Sequence, residues 1–235
     1  MVDHQLRLII QRAQLAQSPV SEEQIDDLIF YAALGIVAGG RVGYALFYGA
    51  GSLWDDPLRV FRLWEGGMAF HGGFLGVVIA MWLFSRHQKI EFGALVDFIA
   101  PLAPVGLALG RIGNFINQEL WGRSADVPWA VVFPGDPLGL ARHPSQLYQF
   151  AMEGVLLFFV LFWYTRSPRP QWSAAGLFLL GYGLFRSLAE FFRAPDAHIG
   201  FDALGWMTRG QLLSLPMIAI GAAIMIWAYR RDAKK

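Results

Sequence analysis

Cysteine is missing altogether from the 235 residues, which excludes disulfides and an enzyme thiol nucleophile. Charge is scarce as well. Asp, Glu, Lys and Arg together make up 16% of the chain, against roughly a quarter in soluble domains. Residues 1–27 hold no apolar run of signal-peptide length, so insertion must rely on a first true span. No Walker loop, Gly-x-Ser-x-Gly elbow, dinucleotide fingerprint or cluster with metal-ligand spacing occurs. Neither a metal nor an organic cofactor is therefore expected. The net charge of +1 gives no electrostatic footprint for nucleic acid, and no such partner is expected.

What the chain does have is apolar length. Hydrophobic residues make up 55% of it, and a membrane span needs roughly 20 mostly apolar residues. Six stretches qualify, at about 28–49, 68–84, 94–112, 146–165, 174–192 and 209–229. The reading is an all-α, polytopic transmembrane bundle, with residues 1–24 a polar cytoplasmic segment and 25–235 a single membrane domain. Residues 1–20 read as a helix or arm on the membrane surface. All nine tryptophans fall near span ends or in short connections, where amphipathic rings prefer to lie. With the N-terminus inside, Arg7, Arg12, Arg86, Lys89, Arg166, Arg169, Arg230, Arg231, Lys234 and Lys235 are cytoplasmic. Arg59, Arg62, Arg123, Arg142, Arg193 and Arg209 are then outside, and this excess of inner cations places both termini in the cytoplasm. The basic tail Tyr229–Lys235 reads as a stop signal in contact with anionic membrane lipids.

Local signals refine the outline. Ser21-Glu-Glu-Gln24 has the form of a capping box and predicts a helix start. Glycines four apart, Gly35/Gly39/Gly43, Gly72/Gly76 and Gly106/Gly110, predict close helix approaches. Pro101 and Pro104 predict a kinked or unwound third span. In Arg142-His-Pro-Ser-Gln146 a helix is expected to start at Pro144 and Ser145, with Ser145 as cap and His143 orienting a loop.

Charges at membrane depth cost roughly 2.5–3.5 kcal/mol each, so each needs a partner or a task. Arg41, Asp97, Arg111, Glu153, Arg186 and Glu190 lie in predicted spans, and His71 lies near a span start. Mutual neutralisation of three arginines and three carboxylates is one explanation, and Arg186 with Glu190, four apart on a helix, fits it directly. Tyr182 and Arg193 extend that face beyond what a self-cancelling pair requires. Arg111 opens a polar run, Arg111, Asn114, Asn117, Gln118, Glu119 and Arg123, at the end of the proline-kinked span. Its planar fork suits phosphate oxygens, and flanking glycines admit a headgroup to the backbone. The arrangement Gly40-Arg-Val-Gly-Tyr44 echoes Gly110-Arg-Ile-Gly-Asn114 around Arg41. His71 sits between glycines that leave space around its ring, although a lone histidine among apolar residues is also a common packing residue.

The stretch Gly110-Arg-Ile-Gly-Asn-Phe-Ile-Asn-Gln-Glu-Leu-Trp-Gly122 resembles the signature of bacterial phosphatidylglycerol–prolipoprotein diacylglyceryl transferases. Gly39–Tyr44, Glu65–Gly73, Asp97–Pro101, Arg142–Tyr148, Gly181–Arg186 and Glu190–Arg193 also resemble blocks of that family, in family order, from about residue 25 to the C-terminus. The resemblance implies transfer of diacylglyceryl from phosphatidylglycerol to the lipobox cysteine of a prolipoprotein signal peptide, with release of glycerol phosphate, in the bacterial inner membrane. By that analogy Arg111 binds the lipid phosphate, and Arg186 with Glu190 belongs to the essential polar cluster. His71 is the candidate base, while Asn114, Asn117, Glu119, Gly122, Tyr182 and Arg41 bind substrate. The family typically has seven spans with the N-terminus outside. This sequence begins in what corresponds to the first cytoplasmic loop, consistent with six spans. Two alternatives remain at this level: a phospholipid carrier, which would need internal symmetry beyond the Gly-Arg echo, and a non-catalytic membrane scaffold.

Overall fold

The computed structural model describes residues 18–47, 61–62, 64, 67–195 and 207–234, apart from the side chains of Phe47, Phe70, His71 and Arg209. The described chain forms two compact units, one of Ser18–Leu95 and one containing Val96 onward.

The first unit is a helical hairpin. Helix α1 (Glu22–Phe47) starts at the expected box: the Gln24 amide donates to Ser21 Oγ at 3.3 Å, and the Ser21 amide donates to Gln24 Oε1 at 2.9 Å. Helix α2 (Phe70–His87) returns beside it. The seam is the predicted glycine ladder. A Cβ on Gly39 would stand 2.3 Å from the Gly72 carbonyl oxygen, and one on Gly76 would stand 2.1 Å from that of Gly35. Backbones this close maximise dispersion contact, the main attraction left to helices when the solvent is itself apolar. Tyr31 meets Phe84 edge-on at 5.6 Å, and Gln24 Nε2 donates to Gln88 Oε1 at 3.0 Å, so the start of α1 lies beside the end of α2.

The second unit carries the remaining helices. Helix α3 (Phe92–Ile99), which runs into it across the boundary, and α4 (Ala103–Ile116) form a pair bent by 45°. The break contains buried Pro101, and buried Pro104 lies in the first turn of α4, as ring clash and lost donors require. A two-residue hairpin, β1 (Val131–Val132) with β2 (Ala141–Arg142), precedes α5 (Ser145–Gln149). A π-helical turn, Phe150–Leu156, joins α5 to α6 (Leu157–Tyr164). Helices α7 (Ser173–Ala189) and α8 (Arg209–Asp232) pack through Gly176, Gly183 and Gly221, where a Cβ would come within about 3 Å of the facing helix. Gly106 and Gly110 differ from the expectation: a methyl group on either would meet nothing within 4 Å.

Each of the six apolar stretches is thus mostly helical among its described residues. Glu22–Leu46, Ser145–Tyr164 and Gly210–Asp232 are long and apolar enough to cross a membrane, as is the bent α3–α4 pair taken as one. Gly72–His87 and Ser173–Ala189 are shorter apolar helices.

Candidate active site

The polar residues of the second unit converge where α4, the π turn and α7 meet. Glu153, in the middle of the π turn, is fully buried. Arg111 of α4 donates to its Oε2 from Nε at 3.2 Å and from Nη2 at 2.9 Å. Arg186 of α7 places Nη1 3.8 Å from Glu153 Oε1 and Nη2 2.5 Å from Glu190 Oε1. Arg193 Nη1 reaches the same Glu190 oxygen at 3.1 Å. Thr208 Oγ1 donates to Glu190 Oε2 at 2.7 Å. Three arginines and two carboxylates therefore form one connected chain. Tyr182, one turn before Arg186, lies in the field of Glu153, Arg186 and Arg111.

Each partner is positioned by an identifiable device. Gly154 lets the π turn touch α4, since a Cβ there would stand 2.6 Å from the Ala108 Cβ, one turn before Arg111. A reciprocal capping box, Thr208 with Gln211, starts α8, which satisfies amides that would otherwise be orphaned. Gly210 gives Glu190 its space, because a Cβ at that position would lie 2.5 Å from the carboxyl carbon.

Mutual neutralisation, the simpler expectation for the buried charges, holds only for part of the set. Among the described residues Asp97 pairs with no arginine: its Oδ1 accepts from the Ala175 amide at 2.8 Å and its Oδ2 from the Trp172 amide at 2.5 Å. It thereby caps the first turn of α7, which has no side-chain cap of its own and starts after Trp172 at φ 75°. Arg41, in the first unit, donates to the carbonyls of Gly67 at 3.2 Å and Arg62 at 2.6 Å, and lies over the Tyr44 ring. Gly67 has φ 85° and contacts that same ring, so only glycine fits there. The backbone of His71 is helical at the start of α2, and its side chain is outside the described residues.

Beyond Arg111 the chain bends sharply, with Gln118 and Leu120 both in the left-handed region at φ 58° and 56°. Such backbone costs of order 1–3 kcal/mol for each non-glycine residue and persists only where neighbours enforce it. Here Gln146 Nε2 holds the Glu119 carbonyl at 2.6 Å and Ser145 Oγ holds that of Leu120 at 2.9 Å. Ser145 is thus not the helix cap expected of it; its hydroxyl points back to the bend, and Pro144 stands at the cap position. Asn114 Nδ2 donates to Glu119 Oε2 at 3.3 Å on the exposed side of the bend, while Asn117 is exposed at the C-terminal cap of α4. Among the described residues no hydrogen bond or ion pair joins Asn114, Asn117 or Glu119 to the arginine chain. Gly122 is sandwiched by backbone: its amide donates to the His143 carbonyl at 2.9 Å, and a Cβ would meet that oxygen at 2.4 Å and the Phe192 carbonyl at 2.7 Å. His143 does orient the loop, through Tyr148, whose hydroxyl lies 3.1 Å from Nδ1 and accepts from Trp129 Nε1 at 2.7 Å. Arg142 forms a bidentate pair with Asp136 at 2.7 and 3.1 Å. This fork, with smaller help from the Leu138 and Leu140 amides, holds the Asp136 carboxyl down at about 2.

Glu153 and Arg193 are the site members that the sequence does not single out. Glu153 is visible there only as one intramembrane carboxylate among three, and Arg193 as an extension of the Arg186 face. Among the described residues no group of three or more His, Asp or Glu could hold a metal ion.

Known proteins carry the same sequence pattern. The family model described as prolipoprotein diacylglyceryl transferase matches residues 5–227. A phosphatidylglycerol–prolipoprotein diacylglyceryl transferase of Teredinibacter turnerae is 59% identical over 222 residues, covering 94% of this chain and 77% of that protein. One of Azotobacter vinelandii is 57% identical over 214 residues, covering 91% and 81%. One of Pseudomonas paraeruginosa is 56% identical, covering 91% and 80%. A match of this extent does not favour the carrier and scaffold alternatives. With its long apolar helices and three arginines gathered around the buried Glu153 and Glu190, this multi-pass membrane protein belongs to the prolipoprotein diacylglyceryl transferase family.

Proposed function

We propose that the protein transfers the diacylglyceryl group of phosphatidylglycerol to the lipobox cysteine thiol of a prolipoprotein signal peptide. The observation that carries this reading is the Arg111–Glu153–Arg186–Glu190–Arg193 chain, which sets two half-buried guanidiniums, Arg111 and Arg186, around one buried carboxylate. The sulfur attacks the glycerol carbon that bears the phosphate oxygen. A C–S bond forms, the C–O bond breaks, and its electron pair leaves on the phosphate. The monoanionic diester thus becomes glycerol phosphate with a second negative charge, and the thiol proton passes to a base. Arg111 and Arg186 act where that charge grows, and preorganised cations in a water-poor site are worth far more than in water. A cysteine-free enzyme fits this chemistry, because the only thiol is the acceptor's.

His71 is the base in this reading, on the family resemblance. Arg41, Tyr182, Asn114, Asn117, Glu119 and Gly122 form the substrate-binding surroundings, with Gly122 acting through the backbone it joins. We place residues 25–235 in the bacterial inner membrane as one domain, with both termini cytoplasmic; the excess of inner Lys and Arg supports this orientation.

The test is purified protein with phosphatidylglycerol vesicles and a lipobox peptide. The peptide should gain the mass of one diacylglyceryl group at its cysteine, with one glycerol phosphate released per peptide. Lipid movement without peptide modification would instead indicate a carrier, and neither outcome would indicate a scaffold. His71→Gln should lower kcat more than it weakens lipid binding; a pure binding defect would remove the base assignment.

A further inference from the structure

We infer that Glu153 is a positioning residue that acts as an internal anion, presetting Arg111 and Arg186 and competing with the substrate phosphate for them. The inference rests on the reading of the arginines as the phosphate site.

Three observations lead to it. The first is backbone. Glu153 sits at the centre of the π turn Phe150–Leu156, between α-helical α5 and α6. A π turn adds a residue to the helix and rotates the residues beyond it, and such insertions are frequent at functional sites. Here the irregular turn coincides with a buried carboxylate placed between two arginines of different helices.

The second is geometry. Arg111 engages a single oxygen of Glu153 through Nε and Nη2. The other oxygen and Arg186 Nη1 face each other at 3.8 Å, and neither atom has a hydrogen-bond partner among the described residues. That separation is beyond a hydrogen bond yet well within an ion pair. Glu153 thus holds both guanidiniums in place while leaving a buried donor of Arg186 unused.

The third is charge. Arg111 and Arg186 both face Glu153, and the phosphodiester that would take its place arrives as a monoanion. The released glycerol phosphate carries more negative charge. Without an internal competitor, the arginines would hold this product most tightly of all, and turnover would stall on its release. Glu153 re-forms its pairs as the phosphate departs and so displaces it.

The test is inhibition by added glycerol phosphate, alongside kcat and KM for phosphatidylglycerol, in the 235-residue protein. Glu153→Gln keeps an acceptor for Arg111 and removes the competing charge. It should tighten glycerol phosphate inhibition tenfold or more, lower kcat, and leave KM for the lipid unchanged or reduced. Glu153→Asp retracts the carboxylate by one methylene and should shift inhibition the same way by a smaller factor, about threefold. A merely structural Glu153 would lower kcat or raise KM with inhibition unchanged or weaker, and that result in either folded variant overturns the inference. Failure of the underlying reading is separate, because the wild-type protein would then modify no peptide at all.

Discussion

Removing Arg111 probes both halves of its role. In Arg111→Ala, Glu153, fully buried, loses both hydrogen bonds from that residue and keeps only the Arg186 contact at 3.8 Å. Breaking a buried pair from one side costs about 3–5 kcal/mol, because the remaining charge is left uncompensated. The single variant should therefore unfold at markedly lower temperature in detergent, and its inactivity alone would prove little. The double variant Arg111→Ala with Glu153→Gln removes the orphaned charge and should recover most of that stability, since contacting residues couple strongly. Transfer should not recover. Loss of one donor to a developing anion costs about 10²–10³ in kcat, or roughly 3–4 kcal/mol. Thermal unfolding followed by tryptophan fluorescence and mass-detected peptide lipidation on the three proteins form the assay. A stable double variant with transfer within about tenfold of wild type would refute a phosphate-binding role and reduce Arg111 to a counter-ion of Glu153.

The contacts elsewhere in the fold set further outcomes. Asp97→Ala should cost about 2 kcal/mol of stability by removing the carboxylate that accepts from the Trp172 and Ala175 amides, with KM for the lipid unchanged; an unaltered unfolding temperature would show that the cap contributes nothing. The Asp136–Arg142 fork should respond to acid in a defined window. The carboxyl is held at about 2, below its ordinary value of 3.8, so the pair's stabilisation is complete above the ordinary value and is lost as pH falls through about 2. Protease sensitivity of the 117–144 connection measured from pH 5 to 2 should rise in that lower range, and Asp136→Asn should flatten the profile. Gly76→Val should separate α1 from α2, because even a Cβ would stand 2.1 Å from the Gly35 carbonyl oxygen. Overpacking of this kind costs about 1–3 kcal/mol or more, read as reduced yield of folded protein in detergent, whereas Gly106→Ala, which meets nothing within 4 Å, should be tolerated.

The six apolar stretches were legible from the sequence alone, since the apolar length that a bilayer demands is a property of consecutive residues. The same holds for the α1 capping box, Ser21 with Gln24, and for the break at Pro101, because a cap and a missing amide act within one turn. Arg111, Arg186 and Glu190 stood out for a related reason: a charge inside an apolar run is costly wherever the helix ends up. The sequence could not say which carboxylate answers which arginine. Glu153 lies 42 residues from Arg111, and its pairing depends on how α4 and α7 rotate and on the π turn that re-aims it. Asp97 illustrates the same limit, since its partners are amides 75 and 78 residues away. Gly122 does too, its need for a glycine being created by two carbonyls from distant segments. The sequence by itself determined which stretches are apolar enough to form membrane helices and which charges lie among them. The tertiary structure alone decided that Glu153 joins Arg111 to Arg186, because that contact depends on helix rotation and packing, which no single segment specifies.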